Sequence, residues 1–217
     1  MQKIDSAHIR DKPNNIYSGK VETYSGHMNS LNSDVTSIAK HLSKKQKDFD
    51  NVMTLIRDIV RESAQAITLL HNNELKKAEK TIAAAGKLTD KLKKFDGTIG
   101  YHDKQAYQEY AEAKIFSEIK LNHAIPSCKK VGVEQESYLM GLMDVAGELK
   151  REILESLREN KLDDAERYFK FMRTIYDSTR SIRFAEAVLN GFRRKQDVAR
   201  MQVEGAGSEI LSFKGKK

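Results

Sequence analysis

Apolar side chains recur at helical spacing along most of this 217-residue chain. Leu31, Val35, Ile38, Leu42, Phe49, Val52, Ile56, Ile59, Ser63, Ile67 and Leu70 follow one another at three, four or seven positions, which draws a single stripe down a single helix. No proline interrupts it. Asn32, Ser33 or Asp34 is suited to cap its start, and His71-Asn72-Asn73 to close it. A helix over that span measures ~60 Å at 1.5 Å per residue. One compact domain of this size cannot bury so long a stripe, so the pattern predicts packing against other helices or another subunit.

Further periodic segments predict a helix at about 74–95, with Ala78, Ile82, Ala85, Leu88 and Leu92 as its seam, and one at about 102–123 that stops before Pro126. Others are expected at about 136–159, at about 162–189, and from Gly191 into the basic tail of Lys214, Lys216 and Lys217. Gly97, Gly100 and Gly132 mark breaks between them. Nothing alternates with period two for long enough to make a sheet. The expected fold is all-α: one helical bundle over residues 30–217, with six or seven helices and a very long first one. Residues 1–29, punctuated by Pro13, Asn14, Asn15, Gly19 and Gly26, read as a loosely ordered leader.

Composition agrees with that architecture. Charged residues make up 32%, aromatics 7%, and there are two prolines and no Trp, which suits long solvated helices better than a β-sandwich or a disordered chain. The net charge of +7 favours a polyanionic partner such as nucleic acid. Cys128 is the lone cysteine, so no intramolecular disulfide can form and a reducing compartment is expected; beside Pro126 it reads as a small apolar residue rather than a nucleophile. The opening MQKIDSAHIRDKPNN has no apolar core of signal-peptide length, and no apolar run approaches the ~20 residues of a membrane span. The expected location is the cytoplasm, with no membrane partner.

Two helices carry paired carboxylates. Glu109 and Glu112 share a face with Ala113, Phe116 and Ile119, so both lie among apolar side chains, where a cation or a shared proton must compensate them. Asp144 and Glu148 project together four residues apart, flanked by Gly141 and Gly147. Like charges at that spacing oppose the helix by a few tenths of a kcal/mol, and each mid-helix glycine costs about 1 kcal/mol relative to Ala. Gly141, one turn before Asp144, would let a ligand or another backbone come close.

Four such carboxylates suit one or two Mg²⁺ or Mn²⁺ ions, which activate water for hydrolysis of an RNA phosphodiester. Spacing does not choose a general base among them, Glu148 being one candidate. The competing possibility is a solvated ion-pair ladder of Asp144, Glu148, Arg151 and Glu155. A di-iron bundle is disfavoured, because no Glu-x-x-His occurs among the six histidines. His71 ends the first helix, where it could reach the acidic cluster or simply complement the helix dipole.

Basic residues cluster at Arg57 and Arg61, and at Arg193, Arg194, Lys195 and Arg200, all suited to phosphate. Arg193, Asp197, Arg200 and Glu204 could instead pair along one face. No P-loop, dinucleotide fingerprint, zinc spacing or nucleophile elbow appears.

Several segments together resemble the translin family, most closely its translin-associated factor X branch: Ile59-Val60-Arg61-Glu62-Ser63 running to Leu70-His71; Glu109-Tyr110-Ala111-Glu112-Ala113; the run from Tyr138 through Gly141, Asp144 and Gly147 to Leu149; and Gly191 to Arg200. The likeness spans about residues 34–210 in order. It implies an all-helical fold assembling into octameric barrels that bind single-stranded RNA or DNA. For the translin-associated branch it implies a Mg²⁺-dependent endoribonuclease whose carboxylates correspond to Glu109, Glu112, Asp144 and Glu148. The leader departs from the family pattern. A chain without a second subunit type is expected to form a homo-octamer, and a non-catalytic single-strand-binding module is the alternative function.

Overall fold

The computed structural model describes residues 18–95 and 103–215, with side chains from Ser30 onward. Seven α-helices occur among these residues: α1 (Ser18–His71), α2 (Leu75–Leu92), α3 (Asp103–Lys120), α4 (Cys128–Val131), α5 (Gln135–Arg158), α6 (Leu162–Thr179) and α7 (Phe192–Gly215). A 3₁₀ turn, Lys93–Phe95, continues α2. The described residues contain no strand. The expected breaks at Gly97 and Gly100, and residues 1–17 of the expected leader, lie outside them.

Three of the long helices stop by the same device. Asn73, Asn122 and Asn160 take φ of 58°, 60° and 60°, the left-handed conformation that asparagine tolerates better than most residues. After each, the next amide reaches back to the helix: Glu74 to Leu69, His123 to Glu118 and Lys161 to Ser156, at 2.8–2.9 Å. These paired bonds satisfy terminal carbonyls and turn the chain sharply at the ends of α1, α3 and α5.

Three boundaries differ from the sequence reading. The first helix begins at Ser18, inside the expected leader; Gly19 and Gly26 weaken a helix but remove none of its hydrogen bonds. The four-residue α4 had no periodic signal. Ser127 caps it by accepting from the Lys130 amide at 3.3 Å, and Gly132 ends it at φ 80°.

The helix expected to run to 189 stops at Thr179. There, Gln196 of α7 donates Nε2–H bonds to the carbonyls of Thr179 (2.7 Å) and Ile182 (3.2 Å). A tertiary contact thus takes acceptors that a continuing helix would use.

The chain divides into two compact units, Met1–Asp48 and Phe49–Lys217. In the first, Leu31, Val35, Ile38 and Leu42 are all exposed on α1. In the second, the same stripe is buried: Val52, Ile56 and Ile59 pack with Leu92, Ala106 and Tyr107, while Ala66 and Leu70 join the main core. That core centres on α5, which packs on α3, α6 and α7. Val145, Ala146, Leu149 and Ile153 of α5 are fully buried, as are Ala113, Phe116 and Ile119 of α3.

Candidate functional site

Gly141 sets the distance between α3 and α5. A Cβ there would lie 2.6 Å from the Gln108 carbonyl oxygen, 2.9 Å from the Ala111 Cβ and 3.0 Å from the Glu112 amide nitrogen. Main chain therefore meets main chain, the close approach for which a side-chain-free residue is suited. The contact brings Glu109 and Glu112 of α3 beside Asp144 and Glu148 of α5. A second turn completes the site: Gly191, at φ 75°, donates its amide to Glu186 Oε2 at 2.7 Å and lets α7 start against α5. Glu109, Glu112, Asp144 and Glu148 consequently line one cleft of about 620 Å³, with Arg194 and Lys195 on its α7 side.

The cleft's charges are unevenly matched. Lys195 Nζ donates to Asp144 Oδ1, and Gln108 Nε2 donates to Asp144 Oδ2 at 2.7 Å. Glu112 has no such support. Burial, then the charges of Asp144, Glu109 and Glu148, push its carboxyl up to about 9, against only Lys195 in the other direction. Glu109 is raised as well, by burial and then by Asp144. These directions mark a concentration of negative charge that the protein's own cations do not neutralise.

Glu148 is held from the far side. His71 Nε2 lies 2.5 Å from Glu148 Oε2, and His71 Nδ1 lies 2.6 Å from Glu152 Oε1. Lys120 Nζ donates to the other Glu152 oxygen at 2.8 Å. Burial works against a charged imidazole, but the bonds to Glu148 and Glu152 outweigh it and hold His71 above its ordinary value. Of the two fates open to His71, reaching the acidic cluster is the one realised.

The ladder along α5 does not form: Asp144 pairs with Lys195, Glu148 with His71, and Glu155 with Arg158. Glu152 and Gln108 were not singled out from the sequence. Glu152 continues the 144–148 spacing by another four residues, a signal that was present.

The oxygen donors fit a hard divalent cation in kind and in charge. Their gathering is incomplete, for among the described residues no group of three or more His, Cys, Asp or Glu side chains is assembled to hold a metal ion. A metal would compete with Lys195 for Asp144.

The basic residues separate by position. Arg194 and Lys195 line the cleft. Arg61 pairs with Asp58 at 2.9 Å on the exposed face of α1, Arg57 donates to Thr54 at 3.4 Å, and Arg200 pairs with Glu204 at 3.6 Å. Arg193 is exposed on α7 outside the cleft lining. Burial pushes the Cys128 thiol up, away from the reactive thiolate.

Comparison with known proteins places the fold. Residues 2–206 match the family described as Translin family. An uncharacterised protein of Methanocaldococcus jannaschii is 31% identical over 186 residues, covering 83% of this chain and 82% of its own length. Among solved structures, AfC3PO superposes with a TM-score of 0.77 at 26% identity, over 85% of this chain and 98% of its own. AfC3PO in complex with duplex RNA gives 0.75 at 25%, with the same coverage. Apo-NeC3PO gives 0.74 at 20% identity over 82% and 96% of the two chains, a likeness of fold alone. No helix among the described residues is long and apolar enough to cross a membrane.

Proposed function

The chain belongs to the translin family, and from that premise we propose that it is an oligomeric nucleic-acid-binding protein that cuts RNA in the cleft between α3, α5 and α7. The carrying observation is the cleft itself: four carboxylates, one of them forced to about 9, opposite Arg194 and Lys195. Such a site lacks positive charge that a divalent cation would provide, and it presents two side chains to a phosphate backbone. A nucleic-acid partner is further supported by the likeness to AfC3PO, a protein captured with duplex RNA. Single-stranded RNA is the substrate class favoured by the resemblance, with single-stranded DNA as a second ligand and the cytoplasm as the place of action.

Glu109, Glu112, Asp144 and Glu148 would hold Mg²⁺ or Mn²⁺. When bound, such an ion supplies an activated water and charge stabilisation for the phosphate. The chain's own residues do the rest. Arg194 and Lys195 hold backbone phosphate without reading bases, and Arg57, Arg61, Arg193 and Arg200 extend the basic surface outside the cleft. Gln108 holds Asp144 in place, and Glu148, engaged at Oε2 by His71, keeps Oε1 to accept a proton.

The exposed Leu31–Leu42 stripe of α1 supports assembly through copies of the chain, and the homo-octamer is the stoichiometry carried over from the translin-associated branch. Sedimentation showing a stable monomer at micromolar concentration overturns the assembly.

A second reading has its own observation. Lys195 already neutralises Asp144, as it would in a non-catalytic binding module. The deciding experiment incubates the pure protein with labelled single-stranded and duplex RNA, first with Mg²⁺ and then with EDTA. Cleavage that EDTA abolishes supports the nuclease; salt-sensitive binding without cleavage in Mg²⁺ or Mn²⁺ moves the function to the binding module. Loss of both ends the nucleic-acid reading.

A further inference from the structure

We propose that His71 is a positioning residue of the cleft, fixing Glu148 through a relay that starts one turn further along the same face of α5. The inference rests on the metal-binding reading above and adds to it a residue that does not line the cleft. His71 is the last residue of α1, with a side chain only 7% exposed. Its ring packs against Phe116 at 5.1 Å between centroids. Both nitrogens are committed to carboxylates four residues apart on α5, at 2.5 Å and 2.6 Å. With both ring nitrogens engaged, the imidazole is a strut that spans the two side chains.

The far end of the relay is anchored as firmly. Lys120, with its side chain 4% exposed, donates to Glu152 at 2.8 Å and to Asn73 Oδ1 at 3.0 Å. Asn73 is the left-handed residue that turns the chain after α1. Lys120, Glu152 and His71 line a separate cavity of about 310 Å³, whereas Glu148 lines the carboxylate cleft. The relay therefore runs from one cavity to the other, and its single member in the cleft is the one whose direction matters for a ligand. Outer groups of this kind orient metal-holding side chains.

The test is Mn²⁺ titration of the full chain without RNA, with thermal melts verifying the fold. Wild type should bind Mn²⁺ and Asp144→Asn should lose it. His71→Asn should weaken binding by roughly 10-fold, the lower end for an outer-shell partner. Glu152→Ala should weaken it in the same direction, and the double variant should be no worse than His71→Asn alone. RNA affinity in metal-free buffer should stay at the wild-type value in His71→Asn, Glu152→Ala and the double variant, which a general loosening of the fold would not allow.

The proposal is overturned if His71→Asn binds Mn²⁺ as wild type does while Asp144→Asn does not, or if the effects of the two relay variants add. Should His71→Asn not fold, Glu152→Gln carries the same comparison. Absence of Mn²⁺ binding by wild type removes the metal reading and this inference together.

Discussion

Glu112 and Glu152 sit on neighbouring helices, 8% and 7% exposed, and their surroundings drive them in opposite directions. Burial disfavours the charge of both. Around Glu152, the bonds from His71 and then Lys120 overcome burial and hold the carboxyl below its ordinary value. Around Glu112 the neighbours are Asp144, Glu109 and Glu148, and the carboxyl rises to about 9. Glu118, also 8% exposed, behaves like Glu152, because His123, Lys114 and Lys130 surround it. Depth alone thus says little about what a buried acid is for. The informative quantity is whether the fold supplies its counter-charge, and at Glu112 it does not.

The comparison breaks most visibly through activity. Glu112→Gln and Asp144→Asn should each lower Mg²⁺-dependent RNA cleavage by at least about 100-fold, more than loss of an outer partner usually costs. RNA binding should be kept by Glu112→Gln, whose carboxyl is already pushed up to about 9, and kept or tightened by Asp144→Asn, which removes negative charge from the cleft. A gel assay of labelled RNA reads both. Glu152→Gln should instead act on the fold: it leaves buried Lys120 without its anion and His71 with Glu148 alone, and should destabilise the protein by about 3 kcal/mol in urea titration.

Glu112→Gln should do the reverse in EDTA, stabilising the protein by about 2 kcal/mol at pH 7. The pH slopes differ in sign. Glu112, raised from an ordinary 4.5 to about 9, binds more protons folded than unfolded between those values, so its cost is absent below pH 4.5 and grows as pH rises toward 9. Glu152, lowered from 4.5, contributes stability that is present above 4.5 and lost as pH falls through its folded value. The gap between wild type and Glu112→Gln should therefore widen with pH, and that between wild type and Glu152→Gln should narrow in acid. The smallest effect is expected for Glu118→Gln, less than about 1 kcal/mol, since His123 and Lys130 are 59% and 63% exposed and water screens them.

Much of this was legible in the chain. The 3.6-residue period gave the long helices because burial in a bundle leaves that trace directly. The two carboxylate pairs were legible because each lies within one helix, at spacings that share a face. What stayed hidden depended on contacts between elements. The end of α6 at Thr179 is decided by Gln196, which follows it by seventeen residues. The attachment of Lys195 to Asp144 spans 51 residues, and nothing local distinguishes Lys195 from the arginines before it. The stripe from Leu31 to Leu70 predicts a helix equally well along its whole length, yet only its second half is buried within this chain. Periodicity states that a face is apolar, not what covers it.

The contact at Gly141 has a consequence for how the site can change. Since two main chains touch there, the bore between the carboxylate pairs is gauged by covalent geometry and not by any rotamer. Core replacements at Phe116 or Leu149 can redistribute packing while that gauge stays calibrated. A single methyl group at position 141 would reset it, because the atoms it would strike are two backbone atoms and the Ala111 Cβ, none of which can swing aside. The site therefore combines a wide tolerance for drift in its supporting core with a near-zero tolerance at one position that carries no side chain.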